Sequence, residues 1–167
     1  HTRYSYNRMW GVETLHPLVT VVDVKDYTPS VMSESANYGL YAIFLKEGEG
    51  CHLRYGRQKY DYQDGSIVCF SPGQTVTVDY IENETVSWKA LLFHPDLLFG
   101  THLADNIRDY HFFDYDQREA LHVSAEERRI IEDTFQHIHN EMSHGVDRHS
   151  QQLLTVLVEL VLDYCQR

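Results

Sequence analysis

The chain has 167 residues, 43% of them hydrophobic and 23% charged, a composition typical of one folded domain with its own core. The formal net charge of −11, with lysine and arginine scattered along the chain, argues against nucleic-acid binding by these residues. No apolar run is long enough to span a membrane, and the first residues lack a secretion signal, so we expect a cytoplasmic domain. The three cysteines have no Cys-x-x-Cys spacing, and we expect no disulfides.

Residues 1–17 are expected to form an N-terminal arm. Tyr4, Tyr6 and Trp10 make the arm aromatic, but no helical or strand period runs through it.

Residues 18–98 carry the pattern of a β-domain. Short β-branched and aromatic runs predict strands, and residues 25–37, which contain Pro29 and several serines, predict a loop. Asp64-Gly65 and Pro72-Gly73 predict tight turns, and residues 81–85 predict a hairpin loop. Many short strands separated by glycine turns favour a sandwich or a barrel. The predicted strands are Val19–Val24, Tyr38–Lys46, Cys51–Tyr55, Ser66–Phe70, Thr75–Val78 and Val86–Phe93.

Residues 99–167 are expected to form a helical dimerisation segment. A short helix is predicted just before it, at His94–Leu98, and another within it, at Thr101–Tyr110. A longer helix begins after Ser124, because Ser124 and Glu127 have the spacing of a capping box, and it is predicted to end at Gly145. Its apolar stripe comprises Ile131, Phe135, Ile138 and Met142.

The last helix is predicted from about Arg148 to Cys165. It is apolar almost all round, with only a narrow polar strip formed by Thr155, Glu159 and Asp163. Such a helix has to be buried on two sides, and we expect a second copy of the chain to cover one of them. The residues predicted to form this homodimer interface are Leu153, Leu154, Leu157, Leu160, Val161 and Tyr164.

Four segments together resemble a known family: Gly11–Val19, Tyr60–Gln74, Trp88–Leu98 and the helix pair. In order and spacing they are similar to the N-terminal regulatory domain of AraC-family transcription factors, most closely those of Bacteroidetes. The resemblance implies an α+β fold, in which a cupin-like antiparallel β-barrel of jelly-roll type holds a small effector. Two long antiparallel helices would follow and pair two subunits. A helix-turn-helix domain that binds promoter DNA would follow residue 167.

The same resemblance implies an effector pocket inside the barrel. Alternation puts Trp88, Ala90 and Leu92 on one face of their strand, and the family places that face inward, where Trp88 would stack on a sugar-like or aromatic effector. Val76 and Val78 would line the facing strand, His52 and Arg54 would supply polar contacts, and the arm would fold over the mouth. An interpretation of these side chains as ordinary core residues stays open.

The metal chemistry of many cupins is not expected here. Those enzymes carry a His-x-His pair and a later histidine after the Pro-x-Gly turn, whereas this chain has His52 alone and no histidine directly after Pro72-Gly73. Asp133, His137 and Glu141 share one helical face, which is more typical of a solvated surface than of a metal site. No cofactor and no catalytic residue is predicted.

We therefore interpret the chain as the effector-binding and dimerisation domain of an AraC-type regulator. Two alternatives remain open. The first is a free-standing cupin metal enzyme, such as an isomerase or a dioxygenase, and the second is a helix-mediated interaction module with an empty barrel.

Overall fold

The structure, a computed structural model, describes residues 18–37, 39–47, 66–113, 121–144 and 147–166, and the backbone of two further strands. Within these ranges, all strands pair in antiparallel fashion and form two sheets. The first sheet has the order β1 (Val19–Tyr27), β8 (Val86–Phe93), β3 (Tyr41–Glu47), β6 (Ser66–Phe70) and β9 (Leu121–His122). The second has the order β2 (Ser33–Asn37), β7 (Thr75–Tyr80), β4 (Cys51–Tyr55) and β5 (Gln58–Lys59).

Strand alternation divides the apolar side chains between two cores. On β8, Trp88 and Leu92 face the second sheet, whereas Leu91 and Phe93 face the helices. We call the core between the sheets the inner cluster; it consists of Val22, Leu40, Ala42, Val68, Phe70, Val76, Tyr80, Val86, Trp88, Ala90 and Leu92, with Val24, Tyr27, Ala36, Phe44 and Val78 packed against it. The cupin-like barrel predicted from the sequence is confirmed in this arrangement.

A β-bulge in β1 changes which face its last residues occupy. The register against β8 shifts between Val24 and Tyr27, and Asp26 has a left-handed φ of 51°. The backbone amide of Asp26 donates a 2.9 Å hydrogen bond to the Ser87 hydroxyl. Because of the bulge, Val24 and Tyr27 both pack on the inner cluster although they are three positions apart, a spacing that would put them on opposite faces of a regular strand.

The loop predicted at residues 25–37 is wrong in part, because β1 extends to Tyr27 and β2 occupies Ser33–Asn37. β2 is an edge strand whose outward side chains are polar, and this composition is typical of loops. The Ser35 and Thr77 hydroxyls are hydrogen-bonded at 2.8 Å, and Ser33 donates to Asp79 at 3.1 Å. These cross-strand pairs replace the apolar contacts that a sequence pattern would reveal.

The turn predicted at Pro72-Gly73 and the strand Val86–Phe93 are confirmed. Gly73 has a φ of +88°, a left-handed conformation in which a side chain would be strained. The loop at residues 81–85 is also confirmed, with Asn83 at a φ of 65°. The Asp64-Gly65 turn lies outside the described residues.

The segment after β8 is less helical than the sequence predicted. Pro95–Leu98 is a single 3₁₀ turn capped by the His94 side chain, which accepts a 3.0 Å hydrogen bond from the Asp96 amide. The helix predicted at Thr101–Tyr110 reduces to α1 (Leu103–Asn106), followed by a 3₁₀ turn at Ile107–Asp109. These short turns bury Leu97, Leu103 and Ile107 under the helices.

Helix α2 (Ala125–Met142) confirms the predicted start and the predicted apolar stripe. Glu127 N donates to Ser124 Oγ at 3.1 Å and Ser124 N donates to Glu127 Oε1 at 3.2 Å, which forms the capping box. The stripe Ile131, Phe135, Ile138 and Met142 is buried against the first sheet and α3. The predicted stop, Gly145, lies outside the described residues.

Helix α3 (Arg148–Gln166) differs from its prediction in one respect. Thr155 was assigned to a polar surface strip, but it is 3% exposed, and its hydroxyl donates to the Gln151 carbonyl at 2.8 Å. The buried thiol of Cys165 is hydrogen-bonded to that of Cys69 on β6, and burial raises the pKa of Cys69 well above its ordinary value. In the described ranges, no helix has the length and apolarity needed to cross a membrane.

Candidate functional site

The inner cluster contains five of the seven residues predicted to line a pocket. Trp88, Ala90 and Leu92 of β8 lie across from Val76 and Val78 of β7, and all five belong to this cluster. Trp88 is 8% exposed and Ala90 is fully buried. Their role in binding an effector stays a prediction.

Aromatic side chains gather at one end of the inner cluster. The ring of Tyr27 stands edge-on to Trp88 with centroids 6.1 Å apart, and it lies 6.3 Å from the ring of Tyr80. These contacts join the first sheet to the second, because Trp88 and Tyr80 belong to different sheets.

A carboxylate lies at the same end of the inner cluster. The Tyr80 hydroxyl donates a 3.1 Å hydrogen bond to Glu34 Oε2, and Glu34 is in register with Val78. Burial first, and the charge of Glu34 second, raise the pKa of Tyr27 above its ordinary value. Tyr27 therefore stays a neutral hydrogen-bonding group near neutral pH.

A lysine side chain lies on the inner face of the first sheet. Ala42 and Phe44 of β3 belong to the inner cluster, so alternation places Lys46 on the same face, and Lys46 is in register with Trp88 on β8. Its side chain is almost fully buried, with 1% exposure. Ser66, also fully buried, has the same parity on β6 as Val68 and shares this face.

A buried hydroxyl group adds a further polar atom. Thr20 lies two residues before Val22 on β1 and shares its inward face. It is fully buried, and its hydroxyl makes no hydrogen bond within the described part of the chain. A buried hydroxyl without a partner costs stability, so a bound molecule that paired with it would recover that cost.

The two remaining pocket predictions, His52 and Arg54, belong to β4. In the backbone register of β4 against β7, His52 pairs with Asp79 and Arg54 pairs with Thr77. Their side chains, like the predicted arm residues Tyr4, Tyr6 and Trp10, lie outside the described residues.

The residues predicted to form the dimer interface lie on two different faces of α3. Leu154 and Val161 are fully buried in the chain's own core and are not available to a partner. Leu153 and Leu160 are 51% and 41% exposed. Leu157 and Tyr164 are half-buried between these faces.

The exposed face of α3 includes a further apolar residue, which the predicted dimer interface omitted. Val156 is 58% exposed and lies three residues after Leu153 and four before Leu160, the spacing of one helical stripe. We call Leu153, Val156 and Leu160 the α3 stripe. Next to it is a groove of about 560 Å³ whose rim includes Val156 and the exposed ring of Phe99.

Metal-ligating side chains are dispersed over the described residues. No group of three or more His, Cys, Asp or Glu side chains gathers there in a way that could hold a metal ion. Asp133 and His137, two members of the helical face considered from the sequence, are exposed on α2.

Sequence reasoning missed Lys46, Tyr27, Tyr80, Glu34 and Thr20. Lys46 ended a predicted strand, so its face was not considered, although alternation from Phe44 would have assigned it inward. No sequence signal was available for Tyr27, because its inward direction depends on the bulge.

Several solved structures resemble the fold of this chain. The AraC-like transcriptional activator CuxR aligns with a TM-score of 0.51 at 11% identity, over 81% of this chain and 48% of that one. An apo form of ToxT from Vibrio cholerae aligns at 0.48 and 13% identity, over 89% and 52%. A cupin barrel protein from Salinispora arenicola aligns at 0.34 and 13% identity, over 56% and 85%.

This chain therefore spans about half the length of the CuxR and ToxT chains. Comparison with curated protein sequences gives no significant match. The family profile described as the AraC-like ligand binding domain matches residues 43–158, more than half of the chain, from β3 into α3. The chain belongs to the AraC-like ligand-binding domain family.

Proposed function

We propose that this domain binds a small-molecule effector between its two sheets and thereby controls an attached helix-turn-helix domain. The observation that carries the proposal is the inner cluster, an apolar interior with a few polar and aromatic groups at one end. Small-molecule sites have this composition, in which apolar walls supply affinity and a few polar atoms fix orientation. A sugar is one candidate effector, since Trp88 offers a face for stacking.

Residual exposure supports access to this interior. Phe44, Val78 and Tyr27 pack on the inner cluster, yet they are only half-buried. Side chains that point between two sheets keep such exposure where the interior opens to solvent. The proposal assigns no catalytic step to the chain, in keeping with its family.

The proposed regulator is a homodimer that acts in the cytoplasm. The α3 stripe supports pairing, because an apolar stripe of this spacing is the surface by which helices pack on one another. Promoter DNA would be bound through a further domain, a proposal supported by the greater length of CuxR and ToxT. The net charge of −11 agrees with a domain that does not contact DNA itself.

A thermal-shift screen with sugars and small metabolites tests effector binding, because a ligand of the folded state raises the melting temperature. We expect a compound that stabilises the native chain to lose its effect in Trp88→Ala. Phe99→Ala is the matched control, since Phe99 is 83% exposed and lies outside the inner cluster. Tyr80→Phe serves as a milder second variant that removes only the hydroxyl bonded to Glu34. Equal titration curves in all four proteins would contradict the proposal.

A further inference from the structure

The Thr20 hydroxyl identifies a chemical class for the effector. Thr20 is fully buried on the inward face of β1, and its Oγ1 makes no hydrogen bond within the described part of the chain. We propose that the effector presents one uncharged hydrogen-bonding group, a hydroxyl or a carbonyl, to the Thr20 hydroxyl, while its apolar body packs along β8 from Leu92 toward Trp88. This inference rests on the proposed function of the inner cluster.

The strand register gives the surroundings of Thr20 on the first sheet. One row of inward side chains crosses four strands and consists of Thr20, Leu92, Ala42 and Phe70. The next row toward Trp88 consists of Val22, Ala90, Phe44 and Val68. Thr20 has the only polar side chain in these two rows, and neither row contains a charge.

An effector group is the best available partner for the Thr20 hydroxyl. A buried hydroxyl without a partner has lost its hydrogen bonds to water, whereas valine would fill a similar space without that loss. A buried water molecule is typically held by about three polar groups, so a single hydroxyl among apolar side chains holds one poorly. A polar group on an apolar effector needs only this one bond, because the rest of the effector gains from leaving water.

Two charged side chains of the described residues lie near Trp88, away from Thr20. Lys46 is in register with Trp88 on the neighbouring strand. Glu34 accepts the 3.1 Å hydrogen bond from Tyr80. The ring of Tyr27 lies 6.3 Å from that of Tyr80 and 6.1 Å from that of Trp88, so this carboxylate belongs to the Trp88 end of the inner cluster.

The distance from this end excludes a charged group at Thr20. Leu92, beside Thr20, follows Trp88 by four positions, which is about 13 Å along a strand. A carboxylate or an ammonium group of the effector at Thr20 would therefore be buried without a counter-charge. One hydrogen bond to a hydroxyl does not compensate that cost, so the group that reaches Thr20 is uncharged.

The neighbouring side chains describe the body of the effector. Ala42 and Ala90 contribute only one methyl group each to the two rows, and Phe44 contributes an aromatic ring. An aliphatic or aromatic ring packs on such a surface without leaving a polar atom unpaired. A sugar would leave its remaining hydroxyl groups without partners in these rows. A mainly apolar alcohol, ketone or aldehyde therefore fits this part of the interior better than a sugar does.

Matched compounds isolate the group that faces Thr20. One set is benzyl alcohol, ethylbenzene and phenylacetate, and the other is cyclohexanol, cyclohexanone, methylcyclohexane and cyclohexanecarboxylate. Within each set the ring stays the same, while the neutral polar group is replaced by a methyl group or by a carboxylate. Thermal shift and titration calorimetry measure the binding of each compound to the native chain.

Three variants test the role of the hydroxyl. Thr20→Val removes it and nearly keeps the shape of the side chain, and Thr20→Ser keeps it. Ser150→Ala is the matched control, because Ser150 Oγ is also buried without a partner among the described residues but lies on α3, outside the inner cluster. Trp88→Ala, which tests the proposed function, is measured with the same compounds.

We expect an alcohol or ketone to bind the native chain more tightly than the methyl analogue and the acid of its set. Thr20→Val should weaken this binding by about tenfold, because the polar group of the compound is left without a partner. The methyl analogue should bind Thr20→Val at least as tightly as the native chain, and Thr20→Ser and Ser150→Ala should keep the affinity for the alcohol. A threonine with a purely structural role would change the affinities for all members of a set together. The comparison of compounds on the native chain does not depend on the folding of any variant.

Three results would overturn the assignment to Thr20. The first is a methyl analogue or an acid that binds the native chain as tightly as the alcohol, and the second is an unchanged affinity of the alcohol for Thr20→Val. If Trp88→Ala abolishes binding in either case, the proposed function stands without this assignment. The third is the absence of binding by every compound in both sets, which, together with a negative screen of sugars and metabolites, counts against the proposed function as well.

Discussion

The Tyr110 hydroxyl donates a 2.6 Å hydrogen bond to Asp163 Oδ1, and this bond joins the connector after the barrel to the end of α3. Burial first, and the hydrogen bond to Asp163 second, raise the pKa of Tyr110 well above its ordinary value. Tyr110 is 8% exposed and packs on Phe112, with ring centroids 5.6 Å apart. The bond therefore fastens the last helix to the core of the same chain.

Removal of this bond should destabilise the chain. Tyr110→Phe keeps the ring and deletes the hydroxyl, so we expect the free energy of unfolding to fall by about 1.5–3 kcal/mol, the range for a hydrogen bond to a charged acceptor. Urea denaturation measures the change. A double-mutant cycle with Asp163→Ala is the control: in that background Tyr110→Phe should cost much less, and an equal cost in both backgrounds would show that the bond contributes nothing.

The same residue predicts a dependence of stability on pH. The folded state holds the Tyr110 proton more tightly than the unfolded state, whose pKa is near the ordinary 10.0. Above about pH 10 the unfolded state therefore binds fewer protons, and stability falls as the pH rises. The advantage of the native chain over Tyr110→Phe should be constant below this range and shrink above it. Denaturation curves from about pH 8 to about pH 11 measure it, and a constant advantage throughout would contradict the shift.

Adjacent leucines on α3 should behave in opposite ways. Leu154 is fully buried, so Leu154→Ala should lower the free energy of unfolding by about 2–5 kcal/mol. Leu153 is 51% exposed, and Leu153→Ala should change the stability of the monomer by less than about 0.5 kcal/mol. Urea denaturation at low protein concentration compares the two variants, and similar losses would contradict the assigned faces.

The α3 stripe should control the oligomeric state. A charge introduced by Leu160→Asp would be buried without a partner in a dimer that forms through this stripe, so we expect dissociation to monomers. Sedimentation velocity measures the change. The control is Gln152→Asp, which introduces the same charge at an exposed position of α3 outside the stripe. Asp163 is unsuitable for a control substitution, because its carboxylate accepts the hydrogen bond from the Tyr110 hydroxyl. A monomeric native chain, or a dimeric Leu160→Asp, would contradict the proposed pairing.

The elements that the sequence predicted well are those whose signal is local. Ser124 and Glu127 define the start of α2 through two hydrogen bonds between near neighbours, and Pro72-Gly73 defines a turn through two backbone torsions. The face of Trp88 followed from alternation together with the family resemblance. Such features depend on residues at most a few positions apart.

The features that escaped prediction depend on distant residues. β2 forms by pairing with β7, in which Ser35 and Thr77, forty-two positions apart in the chain, lie opposite each other. The inward direction of Tyr27 depends on a bulge held by Ser87, and the burial of Thr155 depends on the turn that contains Leu97. Leu153 and Leu154 are equally apolar, and only the packed helix decides which of them is covered. These relations are set by tertiary contacts that no local pattern contains.

The last prediction compares two buried threonines, Thr20 and Thr155. Among the described residues, the Thr155 hydroxyl has a hydrogen-bond partner and the Thr20 hydroxyl has none. Thr20→Val replaces an unpartnered hydroxyl with a methyl group, so we expect the unfolding free energy of the effector-free chain to rise by about 1 kcal/mol. Thr155→Val is the matched control; it deletes a hydroxyl that donates to the Gln151 carbonyl at 2.8 Å, and it should lower stability by about 1 kcal/mol. Urea denaturation of both variants decides the sign. A loss of stability in Thr20→Val similar to that in Thr155→Val would show that the Thr20 hydroxyl is already satisfied, and the interior would then lose one of the polar atoms offered to an effector.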